Sequence, residues 1–175
     1  SNQQYLRPSI WYFDETWFIN NRLSTLSTKA NVSPNTLLYI GSQCFAADSY
    51  SKWASRLNSV DFPTVKTVYS SAFQWLSFLT HVGLDNCEQI YPDAFKSCTR
   101  LQSISLPNCT MLGARCFMNC TSLSKVYLLG SQFCSLNGRN QFYNCPNLQS
   151  IIVPGILYNS YKTAWSSYAG LISPY

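Results

Sequence analysis

Charge is scarce in this chain, with 12 Lys and Arg, 7 Asp and Glu and one His among 175 residues. Charged residues make up 11%, against roughly 25% in an ordinary globular domain, so the polar surface must come from Ser, Thr, Asn and Gln. Such a surface hydrogen-bonds well but steers charged partners weakly. The basic residues stand singly from Arg7 to Lys162 and never form a run. The electrostatic footprint of a nucleic-acid binder is therefore missing, and no nucleic acid is expected as a partner. Long apolar runs are missing too: none approaches the roughly 20 residues that cross a bilayer, and no membrane insertion is expected of this segment. The chain opens at Ser1 with no basic-then-apolar leader, and it reads as a piece of a longer protein whose export signal or anchor would lie elsewhere.

Catalytic signatures are equally thin. The sequence has no nucleophile elbow, Gly-rich phosphate loop or H-E-x-x-H helix. Any Ser-His-Asp or Cys-His site would have to use His81, with Asp61 or Asp85 as neighbours. The 7 acidic residues are too few and too spread for a carboxylate pair. His81 reads instead as a solvent-facing strand residue, and no enzyme activity, catalytic residue or cofactor is expected. An unchanged turnover in a His81→Ala protein would remove the enzymatic alternative.

What the chain has in abundance is itself. IYPDAFKSCTRLQSISLP (90–107) aligns without a gap to LGARCFMNCTSLSKVYL (112–128) at a 22-residue offset. Phe95 meets Phe117, Cys98 meets Cys120, Leu101 meets Leu123, Ile104 meets Val126 and Leu106 meets Leu128. Upstream, Val68, Phe73, Leu76, Leu79, Val82 and Leu84 keep the register. Ile40, Phe45, Leu57, Val60 and Phe62 open the array, in a unit lengthened near Asp48 to Trp53. Downstream, Leu136, Phe142, Cys145, Leu148, Ile151 and Val153 close it, with extra residues at 130–138. A sixth, degraded unit is spaced through Trp17, Asn20, Leu23, Leu26 and Thr28.

Apolar residues two apart at the end of each unit mark a strand with one buried face. One strand cannot bury that face alone, so the units must stack into a parallel sheet around a continuous core, with the Phe of A-F-x-x-C filling it from the opposite wall.

The recurring A-F-x-x-C-x-x-L-x-x-I-x-L-P motif resembles the BspA-type (Treponema-type) leucine-rich repeats over residues 40–154. The resemblance implies a mainly β leucine-rich-repeat solenoid: short parallel strands in a right-handed coil, with an irregular or short-helical convex side. Such repeats occur in bacterial and protist surface proteins and in phage-encoded ones. It therefore also implies an extracellular or cell-surface recognition module that adheres to a protein or glycan on another cell. A phage tail or virion protein and a structural spacer are the alternatives. Ile-Gly, frequent at the start of the family's units, is kept at Ile40-Gly41 and as Leu112-Gly113 but replaced by Val68-Tyr69 and Ile90-Tyr91, and the cysteine column holds Asp48 and Leu76 in the first two units. Oligomeric state is left open.

The ends need caps. Aromatic Trp11, Tyr12, Phe13, Trp17 and Phe18 read as the N-terminal one within residues 1–39, with a sugar-stacking platform as the alternative. Leu157, Tyr161, Trp165 and Tyr168 fall on one helical face within residues 155–175 and read as a capping helix.

The 8 cysteines sort by register. Cys98, Cys120 and Cys145 share one position, Cys87 and Cys109 another, and Cys44 and Cys116 a third, where Ala72 and Ala94 also stand. Cys134 falls outside these columns. Residues that exchange with Ala or Leu act as small hydrophobes. Strand spacing is wider than a relaxed disulfide prefers, so stacked free thiols are expected. C-x-x-x-C at Cys116 and Cys120 lacks a second pair, and no metal is expected.

A binding face remains. Outward strand positions form one row through Ser59, His81, Ser103, Lys125 and Ser150, and a second through Asp61, Gly83, Ser105, Tyr127 and Ile152. The Ser residues suit a plain soluble surface, whereas folding does not require Lys125, Tyr127 or Ile152. That corner, with the insertions 46–56 and 130–140 and their Tyr50, Trp53 and Phe133, is the expected contact region.

Overall fold

The computed structural model describes residues 39–46 and 57–175, and the backbone alone at 5–6 and 25–27. The aromatic cluster at 11–18 and the residues Tyr50 and Trp53 lie outside the described residues.

Each coil of the chain contributes two short strands. One set forms a six-stranded parallel sheet: β1 (Tyr5–Leu6), β3 (Tyr39–Ile40), β5 (Thr67–Val68), β7 (Gln89–Ile90), β9 (Met111–Gly113) and β11 (Ser135–Asn137). The other set runs in two blocks. β2 (Thr25–Ser27), β4 (Ser59–Asp61) and β6 (His81–Gly83) form the first. β8 (Ser103–Ser105), β10 (Lys125–Tyr127), β12 (Ser150–Val153) and β13 (Ile172–Pro174) form the second.

All pairings are parallel and in the repeat register. Ile40, Val68, Ile90 and Leu112 face one another along the first sheet. Val126 lies between Ile104 and Ile151 in the last. These residues are buried, and each apolar side chain removed from water contributes about 1.5–3 kcal/mol. Leu26 pairs with Val60, where the degraded sixth unit places it. The second strand of each coil was not foreseen, because two or three residues carry no usable periodicity.

Between its two strands each coil makes tight turns. Ser71, Asp93, Arg115 and Asn140 have positive φ, as do Trp75, Ser97, Asn119 and Asn144 four residues on. This twist aims alternate N–H groups along the stacking direction. Ser71, Phe73 and Trp75 donate to the carbonyls of Pro92, Ala94 and Lys96 at 3.0, 2.8 and 2.8 Å, and the next coil repeats the pattern. The turn wall is thus a third hydrogen-bonded ladder, and backbone that would otherwise be buried unpaired is satisfied coil to coil.

The phenylalanines line up inside this wall. Phe45, Phe73, Phe95, Phe117 and Phe142 stack with centroids 5.2, 5.0, 5.4 and 5.6 Å apart and planes within 12° of parallel. That is offset stacking at close range, the arrangement aromatic quadrupoles favour over a face-to-face sandwich.

All eight cysteines are free thiols. Cys98, Cys120 and Cys145 do more than fill space. Their thiols donate to the carbonyls of Phe73, Phe95 and Phe117 at 3.2, 3.1 and 3.1 Å, one coil back. Cys134 is not the outlier its loop position suggested: it is fully buried with its Sγ 3.7 Å from that of Cys109, which continues the Cys87–Cys109 column. The three-residue lengthening of the coil hid this alignment. Burial raises the Cys98, Cys116 and Cys120 thiols far above the ordinary range and Cys145 to about 11. Thiolate, the reactive form, is therefore rare. Ellman's reagent at neutral pH is expected to titrate at most the two half-buried thiols, Cys44 and Cys145, before denaturant is added, and all eight after. A third reactive thiol in the native protein would mean that the columns are open to solvent.

After Pro154 the chain forms a 3₁₀ turn (Gly155–Leu157), helix α1 (Tyr158–Ala164) and a second 3₁₀ segment (Ser166–Leu171). Tyr161 and Trp165 are buried, and Leu157 and Tyr168 pack against the core, as the helical spacing predicts. Tyr161 accepts the Cys134 N–H at 2.9 Å, and the Trp165 indole donates to the Cys134 carbonyl at 3.0 Å. Strand β13 then returns beside β12, pairing Ile172 with Ile151, an addition the helical reading of 155–175 did not contain.

Candidate binding surface

In the strands of the two blocks, the buried central residue lies between two outward ones. Ser103, Lys125 and Ser150 stand in one row across β8, β10 and β12, and Ser105, Tyr127 and Ile152 in the next. Ser59 lies opposite His81, and Asp61 opposite Gly83, on β4 and β6. His81, Ser103, Ser105 and Lys125 are exposed, whereas Ser59, Asp61, Tyr127, Ser150 and Ile152 are half-buried. The structure brings the expected residues to neighbouring strands of successive coils: β6 and β8 pack side by side, although no hydrogen-bonded ladder joins them. Asp61 leans over Gly83, where a Cβ would sit 2.5 Å from its carboxylate oxygen. Ser173 of β13 borders Ile152, so that corner is flanked by another strand.

Lys125 is in no ion pair among the described residues, and it is the cation of the C-terminal group. Other charges serve to tie coils together. Arg115 holds Asp93 with two hydrogen bonds of 2.9 and 2.7 Å across one repeat, and Lys66 meets Glu88 at 2.8 Å. The Arg115 hydrogen bonds keep the Asp93 carboxyl below its ordinary range. No cluster of three or more His, Cys, Asp or Glu able to hold a metal ion occurs among the described residues.

One exposed group was missed. Trp75 and Phe78 are 48% and 37% exposed, and the Arg100 guanidinium lies 4.1 Å from the Phe78 ring centroid. They stand in the segments leading into β6 and β8, beside the break in the ladder. Trp75 was legible as an anomaly: its repeat position holds Ser97, Asn119 and Asn144, and its φ is +65°. Asn is enriched in that conformation and a bulky aromatic is an outlier, so folding alone does not select Trp there. The insertion residue Phe133, by contrast, turns inward and packs 4.6 Å from the Tyr161 ring.

The sequence motif, the coil-by-coil register and the stacked phenylalanines agree with a direct match of residues 16–149 to the BspA type leucine rich repeat region, in six copies. The chain belongs to the BspA-type leucine-rich-repeat family. Solved leucine-rich-repeat structures share its fold. A T. pallidum leucine rich repeat protein superposes with a TM-score of 0.63 at 19% identity, over 75% of this chain and 59% of that one. One from Bacteroides ovatus gives 0.52 at 20% identity over 88% and 52%, and the pneumococcal vaccine antigen PcpA 0.52 at 15% over 75% and 40%. The BspA-type repeat chain therefore spans little more than half the length of the first two. No curated protein sequence matches it. Leucine-rich repeats are a scaffold whose stacked units present an extended surface for binding, and this family is generally non-catalytic. No helix among the described residues is long and apolar enough to cross a membrane.

Proposed function

We propose that this repeat segment is a non-catalytic recognition module that binds a protein or glycan on another cell through the outward rows of β4 to β12. The observation that carries the reading is the register of Lys125 between the short, neutral Ser103 and Ser150, and of Tyr127 between Ser105 and Ile152. An exposed cation between small hydroxyls, beside a half-buried aromatic and an outward isoleucine, forms a contact spot that the core does not require. Aromatic side chains supply large contact area at low conformational cost, and such residues dominate binding energy at interfaces. An extracellular or cell-surface setting suits this role, and the likeness to a vaccine antigen fits it. A spacer role is the competing reading, and a phage tail or virion protein would use the same face.

The test is an array of immobilised glycans and matrix proteins probed with the intact chain and with a Lys125→Ala/Tyr127→Ala variant. Binding by the intact chain should fall at least roughly tenfold in the variant, as for loss of two contact residues, with the melting temperature little changed. Equal binding by both proteins would remove this corner as the contact site, and binding by neither would favour the spacer.

A further inference from the structure

The lengthened last coil and the C-terminal cap enclose a cleft of about 350 Å³, far from the Trp75 corner in sequence and lined by none of the outward-row residues. Its size is near the lower end of the range of small-molecule sites, roughly 300–1,000 Å³. We propose that this cleft binds an acidic monosaccharide, with Arg139 and Gln141 receiving the carboxylate. The proposal uses different residues from the sheet face and stands or falls separately.

The first reason is an orphaned donor. Gln141 lines the cleft, is 1% exposed, and its Nε2 has no hydrogen-bond partner. Its other atom is engaged: Gln141 Oε1 accepts the Tyr168 hydroxyl at 3.5 Å, while that hydroxyl accepts the Phe142 N–H at 3.4 Å. The Tyr168 hydroxyl thus accepts from the backbone and gives its own proton to the amide oxygen. That orients the amide and leaves the N–H₂ unsatisfied. Buried polar groups are almost always paired, so an unpaired one beside a cleft marks a place for an acceptor.

The second reason is the sign of the lining. It contains Arg139 and no Asp or Glu. Arg139 is exposed and in no ion pair among the described residues. A guanidinium fork matches a carboxylate in two parallel hydrogen bonds. A free amino acid fits poorly, because its ammonium would meet no carboxylate. The remaining lining suits a sugar ring: Asn140, Ser166 and Ser167 offer neutral polar groups for ring hydroxyls, and Leu136 and Ala164 offer apolar surface for C–H faces. The loop is shaped for the purpose by two residues at positive φ, Gly138 at +103° and Asn140 at +64°.

The test is a titration of the ¹⁵N-labelled chain with D-glucuronate, D-glucose and acetate in parallel. The Gln141 side-chain amide signals are assigned by their loss in a Gln141→Met variant. Glucuronate should shift those signals saturably, with glucose and acetate each binding about tenfold more weakly or less, because each lacks part of the recognised group. Arg139→Ala should weaken glucuronate about tenfold, the usual consequence of losing a charge-assisted hydrogen bond, without lowering the melting temperature. No shift with any of the three would mean that a buried water alone satisfies the amide, and the site is overturned. Glucose as strong as glucuronate would overturn the acidic preference, acetate as strong would overturn the sugar, and an unchanged affinity in Arg139→Ala would overturn the assignment of the carboxylate.

Discussion

Replacing Phe95 with Ala is expected to cost about 3–5 kcal/mol of stability, the range for truncating a buried aromatic. Phe95 is fully buried, with Phe73 at 5.0 Å on one side and Phe117 at 5.4 Å on the other. The turn wall that carries it is fastened on both sides by backbone bonds: Phe73 donates to Ala94 at 2.8 Å, and Phe95 to Cys116 at 2.8 Å. The neighbouring coils therefore cannot slide together to fill the hole, and the cavity term stays large. In a repeat array stability resides in the interfaces between adjacent units, and this residue serves two of them. For a chain of this length each kcal/mol corresponds to roughly 2–4 °C, so the melting midpoint followed by circular dichroism should fall by roughly 6–20 °C. Tyr143, 58% exposed in the same turn wall, is the control: its replacement by Ala should stay within about 0.5 kcal/mol. Similar losses in the two variants would show that the phenylalanine stack is not the spine of the core.

The ladders account for the scarcity of charge. Uncharged side chains repeat the coil-to-coil bonding of the backbone. Asn86, Asn108 and Asn147 each donate to a carbonyl of the preceding coil, those of Pro63, Asp85 and Thr121, at 2.7 Å. Thr80 and Ser124 do the same to Asn58 and Gln102 at 3.0 Å. A short neutral donor reaches the adjacent carbonyl without the desolvation cost of a buried charge. The Ser, Thr and Asn that dominate the surface therefore connect coils as well as keeping the chain soluble, which a reading of them as solvent-facing filler overlooks.

What could be read in advance followed the period. Phe73, Phe95, Phe117 and Phe142 share a repeat position and an interior axis, so alignment alone located the core. The outward rows were legible for the same reason, since a period of two assigns one face as soon as the other is known. Cys134 was misplaced because the longer coil breaks the count between it and Cys109. The Gln141 amide was invisible because its neighbours Trp165 and Tyr168 come from beyond the repeats. Trp75 was available as a deviation from its column, but periodicity draws attention to what recurs, and Trp75 does not.

The replaced Ile-Gly pairs have a physical cause, and it leads to the second large effect. Gly113 follows Leu112 where Tyr69 and Tyr91 follow Val68 and Ile90. The backbone of the coil beneath comes close there: a Cβ on Gly113 would sit 2.6 Å from both Tyr91 C and Pro92 N. Glycine is thus required where the preceding coil turns at a proline, and elsewhere a tyrosine fits. Gly130 is the more severe case. A Cβ there would collide directly with the carbonyl oxygen of Pro107, which belongs to rigid backbone and has no rotamer by which to move aside. Gly130 lies at the start of the lengthened coil, so relief would require lifting the segment that leads to Cys134 and the cap. Gly130→Ala is expected to destabilise by about 1–3 kcal/mol, the usual cost of forcing an atom into packed structure, and to loosen the cap with it. Gly170→Ala is the matched comparison, since a Cβ there meets nothing within 4 Å. It should be neutral or slightly stabilising, by restricting the unfolded chain. Denaturant titration of the two variants measures both effects. A Gly130→Ala protein as stable as Gly170→Ala would mean that the last coil does not lie on Pro107, and the cleft built against that coil would lose its wall.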